Sequence, residues 1–83
     1  MSSSQDDFLA EAIGLVAAIL QADPAGVGAD DGARTLPTWD SLKTILLASH
    51  IEVERGITLE SAEIEQLTSV RAVAAVIARH AGR

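Results

Sequence analysis

Apolar side chains recur at spacings of three, four and seven near the start of the chain, as they do on one face of an amphipathic helix. The residues that follow this pattern are Phe8, Leu9, Ile13, Val16, Ile19 and Leu20. A hydroxyl and acidic side chains in residues 4–7 favour a helix start there. Because the residue before a proline avoids the helical region, Asp23-Pro24 limits this helix, which we expect to end at about Gln21.

A second helical pattern follows Asp40, whose side chain is suited to cap the first turn. The predicted apolar stripe of this helix consists of Leu42, Ile45, Leu46, Ser49 and Val53, and Leu47 and Ile51 widen its apolar arc. We expect the helix to end at Glu54 or Arg55, because Gly56 is a typical residue just beyond a helix C-terminus.

Two further helices are predicted after a short extended link. Residues 61–67 can form only a turn or two, with Ile64 and Leu67 facing inward. The last helix is capped by Thr68 or Ser69. Its inward face consists of Val70, Val73, Ala74, Val76 and Ile77, and Arg71, Arg79 and Arg83 lie off that face.

Residues 22–39, between the first two predicted helices, have no sustained hydrophobic periodicity. An irregular connection of that length is normally functional or mobile.

The chain has 83 residues, no cysteine and a net charge of −6. This length accommodates one small domain, which we expect to span residues 1–83 and to be monomeric. The acidic balance argues against nucleic acids and anionic membranes as partners, because both attract a basic face. The longest run of apolar residues and glycine, from Ala12 to Leu20, is nine residues and too short to span a membrane. The polar, acidic N-terminal residues are unlike a secretory signal, so we expect a cytoplasmic protein.

The pattern indicates neither a metal site nor a hydrolytic site. His50 and His80 fall on different helices without carboxylates at recognisable ligand spacings, so no metal site is expected. Ser41, His50 and Asp40 supply the residue types of a hydrolytic triad. Nine helical residues separate Ser41 from His50 by about 13 Å of rise, which is beyond any hydrogen bond. We therefore expect no catalytic residues.

The tripeptide Asp40-Ser41-Leu42 stands at the start of the second helix, after the long connection. Taken by itself, it is a capped helix start. The free backbone N–H groups of a first helical turn stabilise an anion, so a phosphodiester on Ser41 would be favoured there. A serine in this turn also remains open to a modifying enzyme.

Three segments at particular separations then suggest a family: Asp40-Ser41-Leu42, residues 51–59 (Ile-Glu-Val-Glu-Arg-Gly-Ile-Thr-Leu) and residues 67–70 (Leu-Thr-Ser-Val). In these segments, and over nearly its whole length, the chain resembles the acyl carrier proteins. The resemblance implies an all-α, four-helix bundle. Such a bundle has three longer helices, one short helix before the last, and a long first loop.

The resemblance further implies that Ser41 carries 4′-phosphopantetheine, transferred from coenzyme A by a phosphopantetheinyl transferase. The thiol of this arm would hold an acyl group as a thioester, as in fatty acid or polyketide biosynthesis. The protein would be no enzyme but would present its load to separate acyl-loading and acyl-processing enzymes. Asp40 would cap the helix and contact the transferase, and Leu42 would pack beneath the modified serine.

The resemblance places partner contacts on the second helix, at Lys43, Leu46 and Leu47. That helix is usually acidic in the family, but residues 41–55 are neutral here, and Lys43 stands where an acid is common. Docking is therefore expected to depend more on apolar contact, although Leu46 fits the core equally well. Arg55 stands where the family usually has a core phenylalanine.

Two alternatives remain open at this point. One is an unmodified helical module that binds a partner helix or dimerises through Leu46 and Leu47. The other is an aminoacyl or peptidyl carrier, since some aminoacyl carriers also have Asp-Ser at this position. The identity of the carried group and the pathway are not determined by the sequence.

Overall fold

A computed structural model describes residues 8–81, and their regular structure is helical. The helices are α1 (Leu9–Leu20), α2 (Ser41–Arg55), α3 (Ser61–Glu65) and α4 (Val70–Ala81). The predicted all-α, four-helix bundle with a short third helix and a long first loop is confirmed. None of the helices within the described residues combines the length and the apolar character needed to cross a membrane.

The core lies where α1 packs against α2 and α4. Its members from α1 and α2 are Ala12, Val16, Ala17, Leu20, Leu47, Ala48 and Ile51, and those from α4 are Val70, Val73, Ala74, Val76 and Ile77. The predicted inward face of α4 is therefore confirmed. The larger apolar residues predicted for α1 are buried or partly buried against this core.

The predicted apolar stripe of α2 is wrong as a core face. Leu47 and Ile51, which were expected only to widen the arc, lie at the centre of the buried side with Ala48. The stripe points to solvent instead, with Leu42 61% and Val53 81% exposed. Because α2 is apolar on both sides, its periodicity alone cannot tell which side packs on α1.

The helix ends follow the predicted local chemistry where the structure describes them. Gly56 has φ 64° and ends α2, and Gln21 adopts a similar left-handed conformation after α1. Ser69 is the residue that caps α4, because its Oγ accepts a hydrogen bond from the N–H of Ala72 at 3.1 Å. The helix start predicted at residues 4–7 and Arg83 lie outside the described residues.

The connection between α1 and α2 has a defined path, with one 3₁₀ turn at Pro24–Gly26. Its middle is attached to the start of α4 by backbone hydrogen bonds, from Ala33 N–H to Thr68 O and from Val70 N–H to Asp31 O, each 2.9 Å long. The backbones approach so closely at Gly32 that a Cβ there would lie 2.5 Å from Thr68 O. The loop is thereby held against the bundle.

Arg55, which stands where the family usually has a core phenylalanine, is bound to α1. Its Nη2 lies 2.5 Å from Oε2 of Glu11, and its guanidinium carbon lies 5.4 Å from the centre of the Phe8 ring. The charged end of Arg55 is thus held by a carboxylate and by the face of an aromatic ring. The aromatic ring at this end of the bundle therefore comes from Phe8, the residue directly before α1.

Candidate functional site

Asp40 and Ser41 form the junction between the long loop and α2. Asp40 is extended, and its Oδ1 accepts a hydrogen bond from the N–H of Lys43 at 3.0 Å. This bond satisfies one of the N–H groups that a helix start leaves free. The predicted cap is confirmed, and it makes Ser41 the first residue of the helix.

The Ser41 hydroxyl is open to solvent. Within residues 8–81 it has no hydrogen-bond partner, and the backbone N–H groups of Ser41 and Leu42 have none either. Two free donors at the positive end of a helix of 15 residues suit a phosphodiester at this serine. The residues present therefore fit a covalently attached phosphate group at this position.

Trp39 anchors the chain just before the site. Its side chain is only 3% exposed, and its Nε1–H donates a 3.2 Å hydrogen bond to Oγ1 of Thr44. The Thr44 hydroxyl in turn donates to the carbonyl oxygen of Asp40 at 3.1 Å. This chain of bonds joins the loop to the first turn of α2 and fixes the backbone on either side of Ser41.

A cleft of about 440 Å³ opens beside Ser41, between the loop, α2 and α3. Its lining comprises Ala33, Trp39, Asp40, Ser41, Thr44, Ile45, Ile64, Glu65 and Thr68. Apolar side chains from three parts of the chain meet there, and neither His50 nor His80 is among the lining residues. The cleft offers an apolar surface next to the serine.

The structure corrects two of the predicted roles on α2. Leu42 does not pack beneath Ser41, because it lies on the outward side of the helix. Leu47 is fully buried and has no surface to present to a partner. Leu46 is 42% exposed, so it belongs to the surface, and Lys43 is partly exposed.

The cleft and its anchor were not predicted from the sequence. Ile64 was predicted only to face inward, and the sequence pattern assigned no role to Trp39 or Thr44. The sequence did contain one indication of the cleft, because a tryptophan directly before the residue that caps a helix is well placed to line a cleft beside the helix start. Its meeting with Ile64 depends on how α3 folds back on α2, which local pattern does not specify.

Each of the two histidines lies beside a glutamate and outside the lining of the cleft. His50 Nε2 lies 3.6 Å from Oε2 of Glu54, and His80 Nε2 lies 2.8 Å from Oε2 of Glu63. The hydrogen bond with His80, followed by that from the N–H of Glu60, lowers the pKa of Glu63. Within residues 8–81 no group of three metal-ligating side chains is brought together.

Comparison with known families gives one finding that agrees with this geometry. A family model described as a phosphopantetheine attachment site matches residues 10–77. Comparison with curated proteins found no match. Domains of this family receive 4′-phosphopantetheine covalently, work with phosphopantetheinyl transferases and biosynthetic enzymes, and are generally not catalytic. Since the match covers most of its residues, the chain belongs to the phosphopantetheine attachment-site family and is a phosphopantetheine carrier protein.

Proposed function

We propose that residues 1–83 are one monomeric acyl carrier domain that works in the cytoplasm and bears its phosphopantetheine on Ser41. The arm's thiol holds an acyl group as a thioester, which separate loading and processing enzymes make and use. The chain itself catalyses no step. Asp40 and Lys43 contact the transferase or later partners at the start of α2.

The proposal rests on the exposure and the surroundings of the Ser41 hydroxyl. It is exposed, it has no hydrogen-bond partner among the described residues, and it stands in the first turn of α2. Ser49 is also exposed on α2, but it lies two turns further on, away from the helix start. Ser41 therefore combines access with free N–H donors that stabilise a phosphate.

The attachment reaction requires only this hydroxyl from the chain. Ser41 Oγ attacks the phosphorus that bears the pantetheine in coenzyme A, and the bond from that phosphorus to the bridging pyrophosphate oxygen breaks. Adenosine 3′,5′-bisphosphate leaves, and the hydroxyl proton passes to a base of the transferase.

Two features favour an acyl load over an aminoacyl or peptidyl one. Asp40 precedes the serine, whereas peptidyl carriers more often have Gly-Gly-x-Ser with histidine or a similar residue there. The cleft beside Ser41 also has apolar walls, which include Trp39, Ile45 and Ile64. Apolar walls gain free energy by covering hydrocarbon, which suits an acyl chain.

The nature of the load is tested by isolating the modified protein from cells that contain its own biosynthetic enzymes. Hydroxylamine cleaves a thioester and releases the load as a hydroxamate, whose mass and composition identify it. We expect a hydroxamate without an amino group. An α-amino hydroxamate would show that the protein is an aminoacyl carrier instead. The proposed attachment at Ser41 would be unaffected by that result.

A further inference from the structure

We infer that a second cleft, continuous with the one beside Ser41, binds the far end of the carried acyl group, and that this end is a carboxylate. The acyl group is then a dicarboxylic acid held as a half-thioester, with a hydrocarbon body between its two ends. The inference rests on the proposed attachment at Ser41. It specifies the chemical class of the load.

The second cleft lies between the middle of the long loop and the residues just before α4. Its volume is about 550 Å³, and it is lined by Asp30 and residues 32–35 of the loop and by Thr68 and Ser69. Ala33 and Thr68 also line the cleft beside Ser41. The two clefts therefore meet where the N–H of Ala33 donates to Thr68 O, and together they form one groove that begins at Ser41.

The charge that the second cleft offers to a ligand is positive. Arg34 is exposed, and within residues 8–81 it has neither a carboxylate at ion-pair distance nor a hydrogen-bond partner. The carboxylate in the lining belongs to Asp30, whose Oδ1 lies 2.8 Å from Nε of Arg71. The uncommitted charge of this cleft is therefore the guanidinium of Arg34, which is able to donate two parallel hydrogen bonds to a carboxylate.

Two hydroxyl groups in the same lining add hydrogen-bond donors. The side chain of Thr68 has no partner among the described residues. Ser69 Oγ accepts a hydrogen bond from the N–H of Ala72 at 3.1 Å, and its own proton is not donated within this part of the chain. A carboxylate accepts hydrogen bonds and donates none, so it matches a set made of one guanidinium and two hydroxyls.

The order of the two clefts along the groove gives the class of the load. A chain attached to Ser41 that follows the groove meets the apolar side chains of Trp39 and Ile64 before it reaches Arg34. Hydrocarbon gains free energy in the first part of the groove by leaving water. A carboxylate gains in the second part by accepting from the guanidinium. A dicarboxylic half-thioester uses both parts, whereas an acyl chain that ends in a methyl group leaves Arg34 without a partner.

Attachment to the protein makes a weak contact at Arg34 sufficient. An exposed ion pair contributes little free energy by itself. A tethered load, however, is present near the second cleft at an effective concentration on the order of millimolar. A contact that a dilute free acid would leave unoccupied is therefore populated on the loaded carrier. We assign the second cleft to the end of the load and not to a dissolved anion for this reason.

The test compares a dicarboxylic load, adipoyl, with the monocarboxylic load of the same length, hexanoyl. A broad-range phosphopantetheinyl transferase attaches each acylated arm to the full chain from the corresponding coenzyme A thioester. Hydroxylamine then cleaves each thioester, and its rate is divided by the rate for the same coenzyme A thioester in solution. We expect the adipoyl thioester to be cleaved about threefold more slowly than the hexanoyl thioester on the wild-type protein.

Substitutions of Arg34 assign this protection to the second cleft. Arg34→Gln should abolish the difference between the two loads, and Arg34→Lys, which keeps the charge, should retain part of it. The matched control is Arg79→Gln, because Arg79 pairs with Glu63 and lines neither cleft. It should leave the difference unchanged. Helical circular dichroism verifies that all variants fold.

Free adipate at the concentration of the protein should leave the NMR signals of Arg34 in the unmodified chain unchanged. If it moves them as far as the attached adipoyl group does, the cleft is a site for a dissolved anion and the inference is overturned. Equal protection of the two loads on the wild-type protein, or an undiminished difference in Arg34→Gln, would also overturn it.

The load isolated from cells gives an independent check, because its hydroxamate should carry a carboxylate. A hydroxamate with neither a carboxylate nor an amino group would overturn the inference and leave the proposed acyl carrier intact. Absence of any transfer to Ser41 from all the coenzyme A thioesters, and from coenzyme A itself, would instead contradict the proposed attachment.

Discussion

The indole of Trp39 and the hydroxyl of Thr44 form a hydrogen bond 3.2 Å long directly beneath the start of α2. Trp39 ends the long loop, and Thr44 lies in the first turn of the helix, so the bond spans the residue that we propose is modified. The Thr44 side chain also donates to the carbonyl oxygen of Asp40. The Thr44 hydroxyl thus holds both the end of the long loop and the start of α2 in place.

Thr44→Val should destabilise the protein, because it leaves the buried Nε1–H of Trp39 without an acceptor. A buried donor that loses its partner costs about 1–3 kcal/mol. Urea unfolding followed by circular dichroism measures the loss, and Thr44→Ser, which keeps the hydroxyl, should retain most of the stability. Equal stability of the valine and serine variants would show that the hydrogen bond does not hold the site.

Two substitutions at Asp40 separate its structural role from its proposed contact with the transferase. Asn caps a helix as well as Asp, whereas Ala loses the bond to the N–H of Lys43 and costs about 1 kcal/mol. Asp40→Asn should therefore keep the free energy of unfolding that Asp40→Ala loses. If the carboxylate contacts the transferase, both variants lower kcat/KM for modification. If the folded Asp40→Asn protein is modified at the wild-type rate, Asp40 acts only as a helix cap and does not contact the transferase.

Gly32→Ala should destabilise the attachment of the loop to α4. Its Cβ would lie 2.5 Å from Thr68 O and 3.1 Å from two atoms of Ser69, so the two backbones would have to separate. We expect a loss of about 1–3 kcal/mol, as for overpacking in a core. Gly26→Ala is the matched control, because a Cβ there meets nothing within 4 Å. A loss of the same size in both variants would contradict the proposed close contact.

Stability should fall in acid because two carboxylates titrate below their ordinary range. A hydrogen bond from the N–H of Gly28, followed by one from Thr35, lowers the pKa of Asp31, and the bond with His80 lowers that of Glu63. The folded state then binds fewer protons than the unfolded state, so the stabilisation is present above about pH 4 and is lost as pH falls below it.

Urea unfolding over a pH series measures this effect. We expect Asp31→Asn and Glu63→Gln each to reduce the dependence of the unfolding free energy on pH in the acid range. Asp23→Asn serves as a control, because asparagine can also cap the 3₁₀ turn that Asp23 caps. A wild-type protein whose stability is constant below about pH 4 would contradict this assignment.

Local chemistry in the sequence predicted the helices and several of their ends. The cap at Asp40 and the glycine at position 56 each depend on the conformation of one or two residues, which the residue type largely determines. The inward face of α4 followed from its clear division into apolar and charged sides. Side-chain pattern was therefore sufficient wherever one helix carried one apolar face.

The exposed side of α2 and the cleft beside Ser41 could be identified only from the tertiary structure. α2 is apolar on both sides, so the choice between Leu42 and Leu47 as the buried residue depends on which face meets α1. The meeting of Trp39 with Ile64 depends on contacts between distant segments. The core prediction for α2 was wrong because the apolar side that it chose, with Leu42 and Val53, faces solvent.

The central claim is that Ser41 bears the phosphopantetheine, and mapping the modified peptide tests it most directly. Trypsin cleaves after Arg34 and Lys43, and the resulting peptide, residues 35–43, contains Ser41 as its one serine. After incubation with coenzyme A and a phosphopantetheinyl transferase, this peptide should gain one phosphopantetheine. The gain should vanish in Ser41→Ala and persist in Ser49→Ala. Modification of Ser41→Ala, or a gain on a peptide outside residues 35–43, would contradict the assignment.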